Sequence, residues 1–303
     1  MTTPKTKQWR GVMMLLLVIF LTLVVCTACS GKSRTATVFY ISGIPDQNKS
    51  DTNNAFIELA SILSEATGLD VRYREVFDYA AVVSGFARGE IHLAWFGGLT
   101  GVQGRALLNG SVAVVHRIED TGFTSVFIAG ANTNIHSLAD IRGHSFTFGS
   151  ESSTSGHLMP RYFLSRAGLN PEADFAGVVG YSGSHDRTIE LVSNGAFDSG
   201  ALNDLVWDRY VREGLVDMNR VRFLMYTPEY FNYNFSMPSK ESVDATFGNG
   251  MFDLILETIL NIDVRNNAMM YPFFVSEGFL PTNNENYDDL KEVATMLGLL
   301  MEQ

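Results

Sequence analysis

Three observations in the sequence predict an α/β fold arranged in two lobes. Apolar strand patterns alternate with helical ones along the chain, the order that builds mainly parallel sheets. A set of turn and helix-start positions recurs at a constant offset of 106 residues: Gly43 with Gly149, Tyr79 with His185, Gly89 with Gly195, Gly98 with Asp204. Finally, the stretch 148–156 (Phe-Gly-Ser-Glu-Ser-Ser-Thr-Ser-Gly) leaves a strand end, passes consecutive hydroxyl residues and enters a helix.

The elements follow in order. Residues 38–41 form an apolar strand ended by Gly43 and Pro45. Residues 55–66 carry Phe56, Leu59, Ala60, Ile62 and Leu63 at helical spacing and stop at Thr67-Gly68, a helix C-terminal signal. Residues 71–76 alternate as a strand, Asp78 caps a helix over 79–87, and 91–96 is the next strand, with Trp95 packing under it and His92 structural. A strand at 124–129 crosses from the first lobe to the second, and a short helix over 137–141 opens that lobe. After a strand at 221–226 the chain passes Thr227-Pro228 and the aromatic positions Tyr230, Phe231, Tyr233 and Phe235, read as hinge and core packing. Helices near 251–261 and 287–301 return to the first lobe. The resulting division is 37–123 with 229–303 for lobe I and 124–228 for lobe II.

Residues 1–28 read as an export signal: Lys5, Lys7 and Arg10 precede an uncharged apolar run from 11 to 28. A retained N-terminal helix is the alternative for that run. Ala28 before Cys29 fits a lipoprotein cleavage site, so Cys29 is the expected lipidation position, followed by a polar tether over 29–36. Cleavage there removes three basic residues and no acidic one, taking the net charge from −11 to −14. Only the anchor cysteine then remains, which excludes disulfides and cysteine metal sites from the folded part. The acidic body argues against nucleic acid and anionic lipid as partners.

The hydroxyl-rich junction aims backbone N–H groups, a positive helix end and O–H donors at one place, the requirement for holding a small oxyanion without a cationic side chain. Ser153 as an ordinary N-cap is the competing reading. Tyr79 and His185 stand at equivalent helix starts, where each could reach a bound oxygen or simply pack. Metal ligands do not cluster, and the chain has no Gly-x-Ser-x-Gly elbow, phosphate-binding P-loop or His-Glu-x-x-His helix.

Several strings carry a resemblance: Asp78-Tyr79-Ala80-Ala81-Val82, Leu93-Ala94-Trp95-Phe96-Gly97-Gly98, Ser152-Ser153-Thr154-Ser155-Gly156 with Pro160, Gly183-Ser184-His185-Asp186 and Gly200-Ala201-Leu202-Asn203-Asp204. In these the chain resembles the phosphate/phosphite/phosphonate-type solute-binding proteins of bacterial ABC importers, especially a branch named for selenate binding. The resemblance implies a two-lobed type II periplasmic-binding-protein fold, with a hinge of two crossing segments, that hands its ligand to a membrane permease. Carried over position by position, it implies ligand contacts at Tyr79, Phe96, Ser153, Thr154, Ser155, His185, Asn203 and Asp204. Phe96 stands where phosphonate binders often have tyrosine. Asp204 is the expected discriminator: a carboxylate facing an oxyanion favours one that brings a proton, as phosphite, phosphate and phosphonate do and selenate does not. If Asp204 points to solvent, that argument lapses.

The expected function is an exported, lipid-anchored, monomeric receptor for a small tetrahedral oxyanion, with an ABC permease as partner and no cofactor. It would lie in the periplasm or on the outer side of the cell membrane. A selenate or other anion sensor is the alternative, and a surface-anchored phosphoester hydrolase the enzyme-class alternative.

Overall fold

A computed structural model describes residues 37–300; the export signal, Cys29 and the tether lie outside the described residues. The strands are β1 (Phe39–Gly43), β2 (Val71–Tyr73), β3 (Leu93–Phe96), β4 (Val112–Arg117), β5 (Ser125–Gly130), β6 (Phe146–Phe148), β7 (Gly180–Tyr181), β8 (Ser199–Asn203), β9 (Val221–Tyr226), β10 (Asn234–Met237) and β11 (Phe279–Pro281). They form one sheet ordered β11-β4-β10-β3-β1-β2 and another ordered β7-β6-β8-β5-β9.

The 106-residue repeat has a structural counterpart. From one edge, β2-β1-β3-β10-β4 corresponds to β7-β6-β8-β5-β9. In each sheet the first three strands pair in parallel, and the fourth, supplied by a segment that crosses over, pairs antiparallel on both sides. The α/β class is as expected; the antiparallel strand inside each sheet, which leaves two parallel pairings per sheet, is the departure from the mainly parallel sheets expected.

Helices α1 (Lys49–Thr67), α2 (Tyr79–Ala87) and α3 (Gly98–Leu107) accompany the first sheet. Helix α1 starts six residues before the expected position because the Asn48 side chain caps the N–H groups of Ser50 and Asp51. It ends at Gly68, whose φ of 72° is left-handed backbone that suits glycine. Helix α2 begins at Tyr79 as expected, with Asp78 accepting the Ala81 N–H at 2.7 Å. Helices α4 (Met159–Arg166), α5 (Pro171–Asp174), α6 (His185–Ser193) and α7 (Asp204–Arg212) belong to the second sheet. The remaining helices are α8 (Lys240–Phe247), α9 (Met251–Leu260), α10 (Tyr271–Phe274) and α11 (Asp288–Met296). The expected helix over 137–141 is a single 3-10 turn.

Both faces of the second sheet are covered, as strand alternation requires. Phe127, Phe146 and Phe148 pack on one face, and Val126, Ile128 and Leu202 with Trp207 on the other. The first sheet carries the larger core, including Phe39, Phe56, Phe86, Trp95 and Phe274. Gly43 closes β1 because a Cβ there would lie 2.3 Å from the Phe56 ring, so any side chain would displace that ring.

Candidate oxyanion site

The chain places its polar groups where the carboxyl ends of parallel strands from both sheets meet. Asp46 follows β1, Gly97 and Gly98 follow β3, the serine turn follows β6, and Asn203 ends β8. Main-chain and side-chain hydrogen bonds join the two sheets here. The His185 N–H donates to the Asp46 carbonyl at 3.0 Å, and the Leu99 N–H to Thr154 Oγ1 at 2.8 Å.

The serine turn is one turn of π-helix, Thr154–Leu158, leading straight into α4. Gly149 and Gly156 allow its backbone to fold onto the strand end: a Cβ on Gly156 would be 3.0 Å from the Gly149 Cα. Ser153 is indeed the N-cap, its Oγ accepting the Gly156 N–H at 2.9 Å. Capping and anion binding are nevertheless compatible. A hydroxyl that accepts an N–H still has its own proton to donate, so Ser153 and Thr154 remain donors. Ser155 Oγ is buried without a partner.

A second chain of hydrogen bonds crosses from one sheet to the other. Asn203 caps α7 through Oδ1 on the Val206 N–H at 3.1 Å, and its Nδ2 donates to the Tyr233 hydroxyl at 2.9 Å. Tyr233 donates to Asp46 Oδ2 at 2.7 Å. The His185 Nδ1 accepts the Asn203 N–H at 3.3 Å, which leaves the ring proton on Nε2. Burial pushes the His185 pKa down to about 3, so the imidazole is neutral and its Nε2–H faces the Tyr233 hydroxyl at 3.4 Å.

Eight buried side-chain atoms lack a hydrogen-bond partner among the described residues. Four of them belong to this region: Tyr79 OH, Ser155 Oγ, Asn232 Nδ2 and Asp46 Oδ1. Three are donors and one is an acceptor. Buried polar atoms are almost always paired, so such a group, at strand ends of both sheets, marks the candidate site. Asn232 and Thr154 border it together, since a Cβ on Gly97 would lie 3.7 Å from Asn232 Oδ1 and 3.2 Å from Thr154 Oγ1. Asp46 and Tyr79 act on one another electrostatically, and burial raises the Tyr79 pKa well above the usual phenol value. Burial also raises the Asp46 pKa to about 6, against the opposing pull of the Tyr233 hydrogen bond and the Arg117 charge.

The expected site residues divide accordingly. Tyr79, Ser153, Thr154, Ser155, His185 and Asn203 meet in this region. Phe96 does not: its ring is buried edge-on against Phe86 at 5.4 Å, inside the α2–α3 core. Asp204 is neither solvent-facing nor free. Its Oδ2 accepts from the Thr124 hydroxyl and N–H, and its Oδ1 from the Leu205 N–H. Burial raises its pKa to about 6 as well. In this region the carboxylate with an uncommitted oxygen is Asp46, which the sequence reading passed over together with Asn232; Tyr230 and Tyr233, read there as hinge and core packing, carry hydroxyls that join the network. Tyr230 ties the crossings together, its hydroxyl 2.6 Å from Ser125 Oγ. The signal for Asp46 was its place after a strand ended by glycine and proline, at the carboxyl edge where such folds bind ligands.

No group of three or more His, Cys, Asp or Glu among the described residues could hold a metal ion. A cavity of about 560 Å³ lined by Met159, Tyr162, Tyr230, Leu290 and Met296 holds none of the unpartnered atoms and is a separate feature.

A family model described as ABC transporter, phosphonate, periplasmic substrate-binding protein matches residues 41–287. The chain belongs to that family. This substrate-binding protein is 35% identical over 268 residues to the probable ABC transporter phosphite binding protein PhnD1 of Prochlorococcus marinus, spanning 86% of this chain and 90% of that one. The solved structure of that PhnD1 in complex with methylphosphonate matches with a TM-score of 0.83 at 34% identity, covering 88% of this chain and 100% of that one. The phosphate-import protein PhnD of Mycolicibacterium smegmatis is 31% identical over 201 residues, 60% of this chain and 63% of that one. Relatives of this substrate-binding protein are transport receptors and not enzymes, so the hydrolase alternative is set aside.

Proposed function

We propose that the protein closes two lobes over a tetrahedral phosphorus oxyanion that carries one acidic proton, of the phosphite and methylphosphonate type, and delivers it to an ABC permease. Lobe I comprises 37–123 and 229–303, and lobe II 124–228; the two sheets divide the described residues along the same lines. The protein acts as a monomer anchored through lipidated Cys29 on the outer side of the membrane. The observation that carries the ligand reading is the composition of the unpartnered set, three donors and one carboxylate oxygen. Tyr79, Ser155 and Asn232, with Ser153 and Thr154, serve the anion's bare oxygens, and Asp46 Oδ1 accepts from its O–H, while His185 acts through the Tyr233 hydroxyl that its Nε2 faces at 3.4 Å. Asn203 acts through Tyr233 and Asp204 through Thr124, as supports rather than contacts.

The Asp46–anion contact needs one proton. Phosphorus oxyanions bring it on their own oxygen near neutral pH; sulfate and selenate bring none, so Asp46 must take it from water. With its pKa near 6, that costs about a factor of ten at pH 7 and progressively less as pH falls toward 6. Calorimetry against phosphite, methylphosphonate, phosphate, sulfate and selenate is therefore expected to give at least tenfold weaker sulfate and selenate binding at pH 7, with the gap narrowing at pH 5. Equal binding of selenate and phosphite at pH 7 would overturn the assignment in favour of the selenate alternative.

Tyr79→Phe removes a buried hydroxyl that makes no hydrogen bond of good geometry, with Ser153 its nearby polar neighbour. The unliganded protein is expected to melt at the same temperature or slightly higher, because an unpaired polar atom has been removed from the interior. Phosphite affinity is expected to fall about tenfold, the loss of one charge-assisted hydrogen bond. Paired melting and calorimetric titrations check both halves of the statement.

A further inference from the structure

Arg209 lies on α7 of the second sheet, with only 6% of its side chain exposed, yet its charge is matched across the molecule. Its Nη1 donates to Asp51 Oδ2, at 3.3 Å in the first turn of α1, and to the Pro272 carbonyl of α10. Both acceptors belong to the first-sheet side, so the guanidinium bridges the two sheets' helices without contacting any of the four unpartnered atoms.

Two further contacts connect this bridge to the candidate site. Helix α7 is capped at its other end by Asn203, the residue that holds Tyr233 against Asp46. On the opposite side, the Phe273 carbonyl next to Pro272 accepts from Gln47 Nε2 at 3.2 Å, and Gln47 adjoins Asp46. The bridge is also incomplete. Arg209 Nε is buried without a partner, and the guanidinium lies over its own neighbour Tyr210 at 5.1 Å. A buried donor left unpaired works against the ion pair, which suits a contact that must also release.

We infer that Arg209 is a positioning residue, a clasp from α7 to α1 and α10 that holds the lobes shut and lengthens the stay of the anion without touching it. This rests on the two-lobe receptor reading above. Because the clasp touches no ligand atom, it acts equally on every anion that closes the lobes.

The test uses the full chain with Arg209→Gln, Asp51→Asn and the double variant, titrated with phosphite and followed by stopped-flow release. Arg209→Gln is expected to raise the dissociation rate about tenfold, to leave the phosphite-to-sulfate affinity ratio unchanged, and to shift small-angle scattering of the liganded protein toward a more open shape. Asp51→Asn, at a more exposed position that spares folding, is expected to do the same to a smaller degree. The double variant is expected to be no worse than Arg209→Gln alone, since both changes remove one interaction. An unchanged dissociation rate in both single variants overturns the clasp, and so does an altered affinity ratio, which would place Arg209 at the ligand. Additive effects in the double variant overturn the Arg209–Asp51 pairing. If the unmodified chain does not bind phosphite at all, the receptor reading fails instead, and the two failures are thereby distinct.

Discussion

Asp46→Asn is expected to be more stable than the parent protein and at the same time to lose its preference for protonated anions. The stability half follows from linkage. Burial raises the Asp46 pKa from 3.8 to about 6, so the folded state holds the proton more tightly than the unfolded one. Between those values folding takes up a proton, and stability falls as pH rises; above 6 the full penalty remains. Two pKa units correspond to roughly 2–3 kcal/mol, and an asparagine, which never ionises, escapes it. The gain should appear in chemical denaturation above pH 6 and vanish near pH 4. Asp204 has the same sign and a similar pKa, so the variant loses the Asp46 contribution to the pH dependence and keeps that of Asp204.

The specificity half follows from geometry. The Tyr233 hydroxyl donates to Asp46 Oδ2, so the asparagine turns its carbonyl oxygen there and presents its NH₂ where Oδ1 was. A proton acceptor becomes a donor. The phosphite-to-sulfate affinity ratio should fall at least tenfold, by loss of an acceptor for P–OH and gain of a donor to bare oxygens. An unchanged ratio would remove Asp46 from the contact.

The second large effect is on stability. Arg117→Met is expected to cost about 3–5 kcal/mol, the range for breaking a buried ion pair by removing one partner. Arg117 and Asp120 are both buried and paired two-fold, Nη2 to Oδ1 at 2.7 Å and Nε to Oδ2 at 2.9 Å. Burial opposes the charge, but Asp120 more than offsets it and holds the Arg117 pKa above its ordinary value. The guanidinium also donates to the Phe274 carbonyl at 2.7 Å and lies 4.7 Å from the centre of the Tyr233 ring. Asp120 in turn accepts the Tyr233 N–H at 3.3 Å, so the pair joins the segment leaving β4 to the segment entering β10. Removing both charges, as Arg117→Met with Asp120→Leu, should recover part of the loss. The midpoint of urea unfolding for the three proteins checks it, and a loss below 1 kcal/mol would refute the account.

Where local rules decide, the sequence was easy to read. Asp78 before an apolar helical run gave α2 its start, Thr67-Gly68 gave α1 its end, and the constant offset anticipated that Tyr79 and His185 both begin helices. The serine turn was conspicuous because its hydroxyls are consecutive. Asp46 and Asn232 were not legible for a different reason. Each is a single polar residue beside a strand, and nothing in the neighbouring residues says that it is buried or left without a partner. That depends on which strand ends the fold brings face to face. Asp204 misled by the same logic: its character depends on Thr124, eighty positions away, which occupies one oxygen. The contact that the resemblance implied at Phe96 could not be judged from the sequence, because the side on which its ring packs, edge-on to Phe86, is set by tertiary structure.

The strand order also dictates how the molecule must be put together. All five strands of the second sheet come from one uninterrupted stretch, 125–226, whereas the first sheet lacks an inner member until residues 234–237 arrive. Until then β3 and β4 each expose an unsatisfied edge, the kind of surface along which nascent chains stick to one another. The half nearest the amino terminus is therefore the last to be finished, and a chain truncated before residue 234 would leave a gap in its own middle.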